Sequence, residues 1–355
     1  MPAEWEPHEA TWLTWPTNKI TWPGKHLAVV EAIYIRMMEA LLGAEKIHLL
    51  VPDEKIGRVV LRRLEAKKAR TANLVFHKVR TVDTWIRDYG PIFVAKRRSN
   101  LIPEIASGAT PPCNDTAAFT KWTFNAWGGK YQDLARDNRV VDRVAYLKNF
   151  DRTDVPMVLE GGSIDVNGQG ICLTTEQCLL NPNRNPKLSK KNIEDRIKKY
   201  LGVQKVLWLK EGIEGDDTDG HVDDVTRFID PDTILTATEP DTRDKNHAIL
   251  KENLGILRAS KNLSGKKFKI HKFPMPGRVE VAEGHSASGR LPASYANFYI
   301  GNDVVLLPVY SHRNDKLAFS MLNKFFPDRK IIPIECTSLV FGLGSIHCVT
   351  QQQPL

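Results

Sequence analysis

Short apolar runs alternate with stretches of helical period along most of the chain. Runs over residues 46–51, 73–76, 170–174, 203–209 and 303–308 predict buried strands, since several successive apolar residues suit a strand covered on both faces. Helical spacing predicts helices over 26–42, 54–69, 190–201 and 246–259. Ser189 is placed to cap the third helix, its hydroxyl accepting from an unpaired first-turn N–H. The alternation indicates an α/β protein. Periodicity takes the fold no further.

One stretch breaks the pattern. From Arg97 to about Thr120, Asn100, Pro103, Ser107-Gly108, Pro111-Pro112 and Asn114-Asp115 predict a long surface loop. A tolerated insertion is favoured there over a lid. No linker divides the 355 residues, so residues 1–355 read as one domain. Residues 266–272 alternate like an exposed strand.

Composition narrows the class. Hydrophobic residues at 42% and charged residues at 26% are ordinary for a globular chain. No apolar run reaches the roughly 18 residues of a membrane span, and the first residues lack signal-peptide character, so a cytoplasmic protein is expected. Cys113, Cys172, Cys178, Cys336 and Cys348 show no CxxC pairing, which predicts free thiols rather than disulfides or zinc. The formal charge of +8 is dispersed among acids and apolar residues, as on solvated helix faces, so no nucleic-acid partner is expected.

Four segments place reactive side chains beside glycines. Asp88 is expected to end a strand before the Gly90-Pro91 turn, and Glu160 precedes Gly161-Gly162. Gly215 to Asp224 sets five aspartates around His221, and Cys348 follows Gly342-Leu343-Gly344 near the end of the chain. Singly, each has a bland reading: a turn cap, a hairpin acid, a structural histidine, a packed thiol. Calcium fails on register, because an EF-hand loop with Gly220 sixth would have Gly215 first and Thr226 twelfth. His221 and Asp223 lack a second histidine at metal-ligand spacing.

A thiol, an imidazole and several carboxylates suit a guanidinium substrate. Carboxylates would oppose a developing oxyanion, but they bind a planar permanent cation in bidentate fashion. The bound cation favours thiolate over thiol, and the imidazole can pass a proton to departing ammonia and later take one from water. His347 is the rival base. An extended backbone would turn neighbouring side chains to opposite faces, which ranks it below His221.

The combined segments closely resemble the agmatine deiminase family, within the guanidine-modifying pentein superfamily that includes bacterial-type peptidylarginine deiminases. The resemblance runs from Pro2-Ala3-Glu4-Trp5-Glu6-Pro7-His8-Glu9 through Trp85-Ile86-Arg87-Asp88-Tyr89-Gly90-Pro91, Leu159-Glu160-Gly161-Gly162-Ser163 and Asn181-Pro182-Asn183-Arg184-Asn185-Pro186. It continues through Thr218-Asp219-Gly220-His221-Val222-Asp223 and Ser294-Tyr295-Ala296-Asn297 to Ile346-His347-Cys348-Val349-Thr350-Gln351-Gln352-Gln353-Pro354. It implies a five-bladed, pseudo-symmetric α/β propeller of ββαβ modules. It also implies hydrolysis of agmatine to N-carbamoylputrescine and ammonia through an amidino-cysteine, on the route to putrescine and polyamines, without metal or cofactor. On matched positions, Cys348 is similar to the nucleophile and His221 to the general acid and base. Glu160 would orient His221 or bind guanidinium, Asp88 and Asp223 would clamp guanidinium, and Trp85 and Gly344 would line the substrate tunnel. No membrane partner is implied, and a homodimer is compatible with the pattern. Deimination of peptidyl arginine is the sister reading, and a non-catalytic basic binding protein is a reading from another class. The family usually carries more glycine where Leu343 and Ser345 stand, often Asn at the position of Asp224, and a shorter segment around 97–120.

Overall fold

The computed structural model describes residues 1–95, 118–148, 150–281 and 288–355. The predicted alternation is realised as one motif used five times: an antiparallel strand pair, a helix, and a third strand parallel to the second. β1 (His8–Thr14) and β2 (Lys46–Val51) are parallel, joined by helix His26–Leu41. Helix Glu54–Ala66 leads on to β3 (Leu74–Lys78), which is parallel to β2. β4 (Ile92–Val94) and β5 (Ala118–Thr123) are antiparallel, and β6 (Asp151–Val158) joins β5 in parallel after helix Val140–Lys148. The same order recurs in β7 (Asp165–Val166), β8 (Ile171–Thr175) and β9 (Lys205–Leu209), then in β10 (Thr226–Asp230), β11 (Thr233–Thr238) and β12 (Lys269–Pro274). It recurs once more in β13 (Tyr299–Ile300), β14 (Val304–Val309) and β15 (Lys330–Glu335). The last strand, β16 (Gln351–Pro354), pairs antiparallel with β1 and supplies the missing strand of the first unit.

Local chemistry sets the boundaries. Ser189 Oγ accepts from Asn192 N at 3.2 Å, the expected N-cap, a contact typically worth about 1 kcal/mol. That helix stops where Gly202 turns left-handed at φ 69°. The exit through Val203 and Gln204 delays β9 to Lys205, two residues later than predicted. The second helix is shorter than predicted, because Lys68 leaves it at φ 57°. The exposed strand expected over 266–272 begins at Lys269 and runs to Pro274. Most of the predicted loop at 97–120 lies outside the described residues, as does Cys113. Its last positions, 118–120, belong instead to β5, where Phe119 and Trp122 are buried.

Five strand ends hand the chain from one unit to the next, and each connection carries a side chain of interest. Asp88 follows β3, Glu160 follows β6, His221 and Asp223 follow β9, Asn297 follows β12, and Cys348 follows β15. The largest apolar cluster underlies the first and last units, with Trp12, Tyr34, Leu49, Leu306 and Leu339 fully buried. Two smaller clusters support the middle units. No described helix is long and apolar enough to cross a membrane.

Candidate active site

Asp88 does not end a strand. It sits in the short helix Ile86–Tyr89, where Gly90 N bonds back to Ile86 O at 2.9 Å. Just ahead of it, Asp83 accepts from Thr84 N at 2.8 Å. The Asp88 carboxylate is then oriented by two donors, Trp127 Nε1 at 2.9 Å and Gly162 N at 3.1 Å. Burial first, and then the charges of Asp223 and Glu160, push its carboxyl well above the usual range.

Glu160 closes the approach from β6 into the Gly161–Ser163 turn. One oxygen, Oε1, accepts from Arg184 Nε at 2.7 Å, and both side chains are fully buried. The other, Oε2, faces His221 Nε2 at 4.0 Å and Cys178 Sγ at 4.0 Å. Gly162 is required for close approach: a Cβ there would lie 2.6 Å from His221 Nδ1 and 3.0 Å from Asp88 Oδ1.

The Asp-rich segment divides its labour. Asp216 shapes the loop, accepting from Thr218 N at 2.8 Å, Gly220 N at 3.0 Å and His221 N at 2.9 Å. Asp217 accepts from Tyr131 Oη, and Asp219 pairs with Arg184 and Lys130. Asp224 accepts from Asn297 Nδ2 at 3.0 Å, and burial followed by Asp223 and Asp216 holds its carboxyl well above the usual range. Where that carboxyl keeps its proton it can donate as well as accept, as an amide does. Of the five aspartates, Asp223 is the one facing the thiol, with Oδ2 3.9 Å from Cys348 Sγ.

Cys348 lies in the His347–Val349 turn, 7% exposed, with Asn297 Nδ2 at 3.2 Å. Burial, followed by Asp223, Asp224 and Asp88, pushes the thiol well above its ordinary value. His221 is depressed to about 3, chiefly by burial, with Asp223 acting in the opposite sense. The ligand-free site therefore pairs a neutral thiol with a neutral imidazole. Its orphaned atoms show what it lacks: His221 Nε2 and Asp223 Oδ1 are buried without a hydrogen-bond partner among the described residues.

These groups sit against a cavity of about 800 Å³ whose walls include Trp85, Asp88, Trp127, Gly344 and Cys348. Any side chain on Gly344 would run into the Trp85 ring. Leu343 adopts φ 70°, a left-handed backbone more usual for glycine.

Of the sequence-predicted residues, Trp85, Asp88, Gly344 and Cys348 thus meet at this cavity, with Asp223, His221 and Glu160 buried behind them. The extended backbone expected at His347 is not found. Residues 347–349 form a tight turn, and both imidazole nitrogens are engaged, Nδ1 with Asp223 Oδ2 at 2.7 Å and Nε2 with Glu4 Oε2 at 2.8 Å. Sequence reading missed Arg184, Trp127, Asn297 and Glu4 as site components. The Asn183-Arg184-Asn185 run framed by prolines was the available signal for the first. Glu160, Cys178 and His221 bring donor atoms within 4.8 Å of one another, a spacing a metal ion could bridge. Arg184 already engages Glu160 there, and no fourth donor joins the group among the described residues.

A cavity reaching a thiol and a carboxylate, backed by an imidazole and two further carboxylates, all on four inter-unit connections, is the arrangement of a guanidine-modifying enzyme. The chain belongs to the Porphyromonas-type peptidyl-arginine deiminase family, which it matches over residues 1–354. The agmatine deiminase of Medicago truncatula is 35% identical over 374 residues, spanning 100% of this chain and 96% of that protein. The solved agmatine deiminase of Enterococcus faecalis superposes with a TM-score of 0.86 at 31% identity, covering 100% of this chain and 95% of the other. A cysteine-to-serine variant of the C. jejuni agmatine deiminase, solved with substrate bound, gives 0.83 at 31% identity over 99% and 95%.

Proposed function

We propose that the protein is an agmatine deiminase, hydrolysing agmatine to N-carbamoylputrescine and ammonia within a single catalytic domain. The carrying observation is the Cys348 thiol 3.9 Å from Asp223, beside buried polar atoms that lack partners. The relatives named for agmatine deimination support the same substrate. The five like units, with first and last strands paired, support a five-bladed propeller whose connections converge on the site. Buried free thiols suit a reducing cytosol.

In this reading, guanidinium enters between Asp88 and Asp223, and Asp223 Oδ1 gains its missing donor. The cation lowers the thiol pKa, and the thiol proton passes to His221. Thiolate sulfur bonds to the guanidinium carbon. His221 returns the proton to the departing amine, the C–N bond breaks, and ammonia leaves an amidino-cysteine. Water then gives a proton to His221 and its oxygen bonds to the same carbon. The C–S bond breaks, His221 returns that proton to the sulfur to restore the thiol, and the new hydroxyl gives its proton to solvent, where ammonia takes it up, leaving the neutral ureido product. Glu160 orients His221: one of its oxygens is held by Arg184 and the other faces the ring. Trp85 and Gly344 shape the passage for the alkyl chain.

Incubation with agmatine, arginine and a peptide ending in arginine, followed by an ammonia assay, tests the assignment. Fastest release from agmatine is expected. Release from the peptide alone would transfer the protein to the sister activity, and no release from any guanidine would refute both.

A further inference from the structure

The two ends of the chain meet next to the substrate clamp. Glu4, ahead of β1, reaches His347 across 343 sequence positions, and His347 in turn bonds to Asp223. An ionised carboxylate can only accept, so an imidazole with a carboxylate oxygen at 2.7 Å and another at 2.8 Å must present N–H at both nitrogens. The surrounding charges favour that state. Arg227 binds Glu4 Oε1 at 2.8 Å and Asp165 Oδ1 at 3.1 Å. Arg87 binds Glu4 Oε2 at 3.3 Å and the His347 carbonyl at 3.2 Å. With the ring charged, Glu4, Asp165 and Asp223 are balanced by Arg87, Arg227 and His347. With the ring neutral, this buried group keeps an uncompensated negative charge. On the far side of Asp223 stand Cys348, Asp224 and His221, none of which supplies a fixed cation.

We infer that Glu4 and His347 are positioning residues for the reaction: Glu4 holds a charged His347, which keeps Asp223 ionised and engages Oδ2 so that Oδ1 stays open to the substrate cation. The inference rests on reading Asp223 as the guanidinium clamp. Asp223 and Glu4 both titrate below their ordinary range. Burial opposes ionisation of each, and it is outweighed by His347 at Asp223 and by Arg227 with His347 at Glu4. Glu4→Gln takes away the carboxylate that holds the second ring proton; once His347 is neutral, Asp223 loses the cation at 2.7 Å, its pKa rises, and affinity for a guanidinium is lost from a higher pH as the solution is acidified.

Two measurements decide it. Nitrogen-resolved NMR of ligand-free wild-type protein near neutral pH should show His347 protonated at both ring nitrogens. A neutral ring with one N–H would overturn the inference, whatever the substrate turns out to be. Glu4→Gln, in a Cys348→Ala background that cannot turn over, should bind agmatine about ten- to hundredfold more weakly at mildly acidic pH, the scale of one charge-assisted hydrogen bond. The deficit should shrink as pH rises. A folded variant with the parent's pH dependence, or with an equal loss at every pH, would contradict the positioning role. Absence of agmatine binding to the Cys348→Ala parent itself would count against the substrate assignment, leaving the NMR result to decide the state of His347.

Discussion

Asp88→Asn separates a working clamp from a merely structural acid, because it should weaken affinity while removing a pH-dependent burden on stability. The amide keeps a carbonyl for Trp127 Nε1 but turns its NH2 towards Gly162 N–H, which loses its acceptor, and it removes the charge crowded by Asp223 and Glu160. In the free protein that charge is a liability. The folded carboxyl titrates above its unfolded value, so the native state binds the extra proton. Wild-type stability therefore falls as pH rises from the unfolded value towards the folded one, at a limiting slope of about 1.4 kcal/mol per pH unit. The variant lacks this slope, so its thermal unfolding should trail the wild type in acid, where the unpaired Gly162 N–H costs about 1–3 kcal/mol, and make up that deficit as pH rises. Binding should suffer instead. Leaving a buried cation short of one carboxylate costs about 3–5 kcal/mol, roughly a hundred- to several-thousandfold in affinity. Calorimetric titration of agmatine into Asp88→Asn, with Cys348→Ala present to prevent turnover, gives the affinity. Unchanged affinity would remove Asp88 from the clamp. Loss of affinity together with a stability deficit that is the same at every pH would make its role structural.

Arg184→Met should destabilise the fold by about 3–5 kcal/mol in urea unfolding, since buried Glu160 loses its cation; an unaltered midpoint would contradict that pairing. Gly344→Ala pushes a methyl group into the Trp85 ring, and agmatine turnover should fall at least tenfold with far-UV circular dichroism unchanged. Full activity there would show that Trp85 moves freely. Because burial and neighbouring carboxylates push the Asp88 carboxyl and the Cys348 thiol above their ordinary values, both hold their protons to higher pH than usual, and kcat/KM should rise as pH is raised. A flat profile would mean that neither proton has to leave.

What the sequence displayed depended on how each element is covered. Middle strands such as β2, β8 and β14 are buried on nearly every residue and stand out as continuous apolar runs. The two-residue strands β7 and β13 are too short to show a period, and β16 is mostly glutamine, buried by its position against β1 and β4. Asp88, Glu160, His221, Asp223 and Cys348 were visible because glycines flank reactive groups. Their supports were not, because the Arg184–Glu160 pair, the Asn297 contact with Cys348 and the Glu4–His347 bond join residues 24, 51 and 343 positions apart. No local pattern encodes such contacts. Adjacency also misled: the turn at 347–349 directs His347 to Asp223 and Glu4 rather than merely away from Cys348.

The account stands on a covalent bond between Cys348 sulfur and the guanidinium carbon. Mass spectrometry of agmatine-treated protein, acid-quenched during turnover and digested, reads that bond directly. The peptide containing Cys348 should gain the mass of agmatine less ammonia, and the gain should be absent from Cys348→Ala. Undiminished ammonia release from Cys348→Ala would contradict the mechanism.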